Sequence, residues 1–157
     1  LAENVCLSDK VDLTCSLEVI EHVHSPKKFL SKMCDFTSKN GWVFFTTLCS
    51  DGFDIKFLGK NSNAVFPPHH LNFLSIKGFR DLWESLNLKN INIFTPGELD
   101  VDIVRNKLKE MPELLNNDSF LEQIFIDEKK SKEFQKFLKK NLLSSHAWVL
   151  AQKKWLF

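Results

Sequence analysis

The sequence predicts an α/β domain built on a mainly parallel sheet. Three observations carry this. Short β-branched and aromatic runs alternate with segments of helical periodicity. Residues 42–48 (WVFFTTL) are almost continuously apolar or β-branched, as a strand covered on both faces would be. Turn signals, namely Asn40-Gly41, Asp51-Gly52, Pro67-Pro68 and Pro96-Gly97, fall between these runs.

The elements follow in order. Residues 11–16 (VDLTCS) read as a buried strand after the polar Ser8-Asp9-Lys10. Ser25-Pro26 then signals a helix start, with Pro at the first helical position. Phe29, Leu30, Met33 and Phe36 recur at helical spacing, and Gly41 is expected to end that helix in the left-handed conformation. After the 42–48 strand, residues 49–68 are expected to be loop. Ser75 is a plausible N-cap for a helix over 76–86, whose Phe79, Leu82, Trp83 and Leu86 form one stripe. Residues 90–95 (NINIFT) form a third strand, stopped by Pro96-Gly97. Helices are expected over 101–108, 119–126 and 130–143, and a last strand over 147–152. The order is β-α-β-α-β, then helices, then a final β.

Composition narrows the class. The 157 residues are 43% hydrophobic and 26% charged with net charge +1, which fits one globular domain and excludes collagen-like, mucin-like and disordered chains. Lys+Arg is 21 against 20 acids, and all the basic residues but Arg80 and Arg105 are Lys. This balance gives no global field for nucleic acid or an acidic membrane. Residues 127–140 are locally basic, and read as an amphipathic helix with a solvated charged face or, alternatively, as a surface for nucleic acid or lipid headgroups. The four cysteines have neither C-x-x-C nor zinc spacing, so free thiols in a reducing cytoplasm are expected, with Cys15 a small buried hydrophobe. No apolar run nears the roughly 18 residues of a membrane helix, and no signal peptide is visible at Leu1.

Ligands of such sheets bind beyond the carboxyl ends of the strands. Two segments leave such ends and carry chemistry: residues 17–24, with Glu18, Glu21, His22 and His24, and residues 49–71, with Asp51, His69 and His70. The first cluster suits acid/base work or a metal, although His22 and His24 are two apart and no H-E-x-x-H is present; it equally suits a loop-holding role. His69 and His70 follow a rigid Pro-Pro and could deprotonate a substrate hydroxyl, or bond a loop carbonyl or cap the next helix. G-x-S-x-G, G-x-x-x-x-G-K-[ST] and G-x-G-x-x-G are all absent, and the chain has only 5 Gly.

The stretch from Val11-Asp12-Leu13 to Leu17-Glu18-Val19-Ile20-Glu21-His22-Val23 resembles the fourth-strand motif of class I S-adenosylmethionine-dependent methyltransferases, with Pro26 where the next helix opens. Asn40-Gly41 and the 42–47 run look like the turn and fifth strand that follow. Pro68-His69-His70-Leu71-Asn72-Phe73-Leu74-Ser75 is similar to the stretch before the next helix in members acting on small or lipid-like acceptors. Residues 145–153 look like the last, antiparallel strand.

The resemblance implies the C-terminal half of a Rossmann-like methyltransferase sheet, strands 4-5-7-6, as a partial domain over 1–157 with a helical insert over 100–143. The earlier strands and glycine-rich turn would precede Leu1. It implies S-adenosylmethionine as cofactor, with Ser16, Leu17, Glu18 and His22 on its methionine side. Asp51 and Asn72 would bind the acceptor, a small molecule, sugar or lipid-like group, and His69 or His70 would take its proton. Methyl transfer from a sulfonium needs no metal, and none is assigned. Two rival readings are a non-catalytic scaffold that uses the basic helix for a partner, and a metal hydrolase using His22, His24, His69 and His70. The 11–16 strand would have an exposed apolar edge, from which a homodimer, or residues 1–8 folded over it, is expected.

Overall fold

The computed structural model describes residues 9–86 and 88–154. Residues 1–8, with their expected path over the first strand, lie outside these. Four strands, β1 (Val11–Leu17), β2 (Thr37–Leu48), β3 (Leu88–Phe94) and β4 (His146–Lys153), form one sheet of order β1-β2-β4-β3. β1 and β2 are parallel, and β4 runs antiparallel between β2 and β3. This is the 4-5-7-6 arrangement with an antiparallel last strand.

Between β1 and β2 lies α1 (Pro26–Phe36), whose N-cap Ser25 accepts from the Lys28 amide. Its Phe29, Leu30, Met33 and Cys34 are buried against the sheet. The helix stops sooner than expected. Thr37 is already extended, and its hydroxyl donates to the Met33 carbonyl (2.7 Å) and meets the Thr14 hydroxyl (2.8 Å). Val11 pairs with Thr37 but Leu13 pairs with Trp42, so residues 38–41 bulge out of the ladder. The left-handed residue there is Asn40 (φ 61°), not Gly41. Gly41 is required by space instead: a Cβ would lie 2.8 Å from the Asp12 carbonyl.

A helix, α2 (Phe53–Leu58), occupies part of the expected 49–68 loop. Six residues are too few for a periodic signal. α3 (Ile76–Glu84) starts at Ser75, whose hydroxyl accepts from the Gly78 amide (3.0 Å). α4 (Asp100–Glu110), α5 (Ser119–Ile126) and α6 (Glu128–Lys140) follow β3. Their turns take Asn116 and Asn117 to φ 51° and 59°, a region Asn tolerates better than most residues.

Two apolar clusters result. The sheet and helices α1 and α3 bury Leu30, Val43, Phe45, Phe79, Trp83 and Val149, each contributing about 1.5–3 kcal/mol or more by the area it removes from water. The second joins Leu58, Val101, Val104, Phe125 and Leu138 of α2, α4, α5 and α6. Among the described residues the other sheet face carries exposed apolar side chains. Leu13, Leu17, Phe94 and Trp148 are 42–62% exposed on it. Cys15 lies on this face and is exposed, not buried. The alternation of β1 decides this, since Thr14 and Ser16 pair with Val43 and Phe45 and so point toward the helices.

Polar groups bind the two clusters together. The buried Asp100 carboxylate accepts from the Ser145 amide (2.6 Å), the Ser144 hydroxyl (2.5 Å) and Gln135 Nε2 (2.7 Å). Only glycine fits beside this pair of serines: a Cβ on Gly52 would fall 2.2 Å from Ser145 Cα. Asp54 is buried beside them, and its Oδ1 makes no hydrogen bond. Burial, aided by the nearby Asp100 charge, pushes its carboxyl up to about 6 against the Ser145 hydrogen bond.

A carboxyl raised on folding favours the folded state when protonated. That advantage is complete below about 3.8 and is lost as pH rises through about 6. Asp54→Asn mimics the protonated form. The variant should exceed the parent in stability by about 3 kcal/mol at pH 7.5, and the difference should shrink to less than about 1 kcal/mol near pH 4. Denaturant unfolding at the two pH values checks this; an equal difference at both refutes it.

Candidate functional site

The parallel pairing of β1 and β2 places their carboxyl ends side by side, and the chemistry gathers there. Glu18 follows β1 directly, with φ 50°. Its amide donates to the Thr46 carbonyl (3.1 Å), which fixes the turn. Its Oε1 accepts from the Thr46 hydroxyl (2.6 Å) and lies 3.0 Å from His146 Nε2. The His146 hydrogen bond, more than the burial that opposes it, holds the Glu18 carboxyl below its usual range. The same bond raises His146.

Glu21 lies one turn on, in a 3-10 turn (Ile20–His22), and is 1% exposed. Its Oε2 accepts from the Thr47 hydroxyl (2.8 Å). Its carbonyl accepts from the amides of Leu71 (2.7 Å) and Asn72 (3.1 Å), tying the loop after β1 to the loop after β2. Burial pushes the carboxyl up, with Thr47 opposing.

Two histidines stand over this carboxylate. His22 Nδ1 is 2.5 Å from the His69 carbonyl, and His70 Nδ1 is 2.6 Å from the Ala64 carbonyl. A carbonyl only accepts, so both rings carry their proton on Nδ1 when neutral and leave Nε2 with a free lone pair. The rings are 4.8 Å apart, and His22 Nε2 is 3.9 Å from Glu21 Oε1.

The remaining expected residues take other places. Ser16 is half-buried at the end of β1, and Leu17 is exposed. The Asn72 amide donates to the carbonyls of Val23 (2.5 Å) and Ile20 (3.4 Å), so it clamps the two loops. Asp51 Oδ2 accepts from the Ile76 amide (2.8 Å) and so holds the start of α3. The His69 ring is exposed and stacks on Phe66 at 5.3 Å; its carbonyl faces inward. His24 is exposed and outside the cluster. The structure therefore joins Glu18, Glu21, His22 and His70, and adds Thr46, Thr47 and His146, which the sequence reading missed. A threonine pair ending an apolar strand is a signal for the first two. His146 has none, since its place depends on β4 inserting antiparallel beside β2.

A parallel pair continued by an antiparallel inserted strand, with its polar cluster at the carboxyl ends, is the Rossmann-like methyltransferase architecture. The chain belongs to the methyltransferase domain family, whose model matches residues 2–93. Known structures agree on the fold. A SAM-dependent methyltransferase from Thermotoga maritima matches 98% of this chain and 61% of its own at TM-score 0.57 and 15% identity. One from Archaeoglobus fulgidus matches 92% and 60% at 0.54 and 14%. Phosphoethanolamine N-methyltransferase 2 of Haemonchus contortus, solved with phosphomonomethylethanolamine and S-adenosylhomocysteine, matches 98% and 36% at 0.53 and 12%. The chain thus spans less than two thirds of each of these three structures. No curated protein matches it. The cofactor of this class is S-adenosylmethionine.

The Glu18–His146 pair has a pH signature. The depressed carboxyl contributes stability above about 4.5 and the raised imidazole below about 6.5, so the pair counts most between them. By nuclear magnetic resonance, His146 should titrate above 6.5, and Glu18→Gln should bring it back toward that value. A midpoint unmoved by the substitution would break the pairing.

Proposed function

We propose that this chain is the C-terminal part of a longer enzyme that transfers a methyl group from S-adenosylmethionine to a small-molecule, sugar or lipid-like acceptor. One observation carries the reading: an ionised, half-exposed Glu18 beside the Glu21–His22–His70 cluster, at the carboxyl ends of two parallel strands. Glu18 suits the positively charged methionyl end of the cofactor, with the exposed Leu17 offering apolar contact beside it. Ser16 and His22 complete that side. The cofactor supplies an electrophilic methyl on a sulfonium, so the chain's task is orientation and removal of the acceptor proton.

His70 is placed for that removal, because its Nδ1–H is held by Ala64 and its Nε2 is free to accept. His69 is the alternate base, and its carbonyl orients His22. Asp51 and Asn72 lie on the acceptor side and shape it by fixing the loops. We read 1–157 as one partial domain with 100–143 inserted. Nucleic acid is not the partner we propose: α6 pairs Lys132, Lys136 and Lys139 with Glu128, Glu133 and Glu98. A cytoplasmic location is supported by the free Cys34 and Cys49, whose thiols burial pushes up to about 11. Among the described residues no helix is long and apolar enough to cross a membrane.

A second reading, a non-catalytic scaffold that dimerises, is favoured by the outer edge of β1. Among the described residues no strand pairs with it. An antiparallel pairing centred on Thr14 would set Val11 against Leu17, and Leu13 against Cys15, of the second copy.

Calorimetry separates the readings. The longer protein should bind S-adenosylmethionine, Glu18→Gln should weaken it about tenfold, and the 157-residue chain alone should bind weakly. His70→Ala should lower methyl transfer by about a hundredfold or more; unchanged turnover would sink the catalytic reading. For the dimer, sedimentation of the chain should show self-association that Leu13→Lys abolishes, and a monomer at every concentration would refute it.

A further inference from the structure

We propose that Glu21, His22 and His70 form a binding site for a divalent transition-metal ion of the zinc class. Each residue offers one ligand atom, and the three atoms lie within 4.8 Å of one another. Among the described residues this is the one group of histidine, cysteine and acidic side chains so arranged.

The surroundings are those of a ligand set. Histidines that bind metals usually donate their second ring N–H to a carbonyl or carboxylate, which fixes the tautomer and aims the other nitrogen. Here both rings do so, His22 to His69 and His70 to Ala64, and both Nε2 lone pairs are left for the ion. The carboxylate is oriented too: Thr47 holds Oε2, and Oε1 faces His22. Glu21 is buried, and the side chain beside its carboxylate that is cationic when protonated is His22 (3.9 Å). A cation would reverse the burden of that buried charge.

Two imidazoles and one carboxylate suit zinc, cobalt or iron in preference to calcium or magnesium. Three protein ligands leave coordination positions open. His22 is 43% exposed by its side chain, so an ion has a path in. With the ion bound, His70 Nε2 is a ligand and no longer a base, and an acceptor oxygen on the ion would give up its proton more readily, passing it to water or to the alternate base His69. This last step rests on the methyl-transfer reading; the ion's binding does not.

The test is titration of the 157-residue chain with cobalt chloride, read by visible absorption, and with zinc by competition. One equivalent should bind with a four- to five-coordinate spectrum. His22→Ala and His70→Ala should each weaken binding by tenfold or more. Thr47→Val, which removes only the carboxylate's support, should weaken it about tenfold. His69→Ala keeps the carbonyl and should change it less than twofold. Circular dichroism confirms that each variant folds. No stoichiometric cobalt spectrum, or affinity unmoved in both histidine variants, would overturn the site. Calorimetry with S-adenosylmethionine on the longer protein fails or succeeds independently.

Discussion

The site depends on one buried carboxylic residue. Glu21 spends its side chain on Thr47 of β2 and its carbonyl on the amides of Leu71 and Asn72. It therefore joins three stretches that are far apart in sequence, and it does so where water cannot compete. The Asn72 amide returns the link by reaching the carbonyls of Val23 and Ile20. This knot, together with the His22–His69 carbonyl contact, brings the loops after β1 and β2 together. With it, His22 and His70 come to rest 4.8 Å apart.

Much of this is legible in the sequence. The strand order follows from the runs at 11–16 and 42–48 and from the resemblance of residues 17–23 to a known motif. Ser25 and Ser75 are caps in the structure as in the sequence, because a hydroxyl before a helical stripe has one favourable use. The errors have physical causes. A glycine after Asn40 reads as a left-handed helix cap, yet what requires Gly41 is space. Cys15 reads as core because a strand rich in β-branched residues looks buried, yet which face is covered depends on where the helices lie. In the sequence His69 and His70 are equivalent. The turn after Pro68 sends one ring outward against Phe66 and the other inward toward Glu21.

The two apolar clusters raise a question of unity that the polar clasp answers. Asp100 fastens the serines before β4 to α4, and Gln135 fastens α6 to the same carboxylate. β4 is the strand that also places His146 against Glu18. The helical region therefore sets the position of a site residue although it supplies none itself. Gly52 is the narrow point of this arrangement, since the chain passes Ser145 too closely for any side chain.

The left-handed residues show how differently one backbone conformation is used. Asn116 and Asn117 adopt it in a turn between helices, where glycine would adopt it with less strain. Glu18 adopts nearly the same φ at the end of β1, where its carboxylate is indispensable to the Thr46 and His146 contacts. The first kind of strain is negotiable and the second is not. Thermal hardening of this protein is thus separable from its chemistry: the mutational headroom sits in the asparagine turns, and selection for robustness can act there while the sheet edge stays as it is.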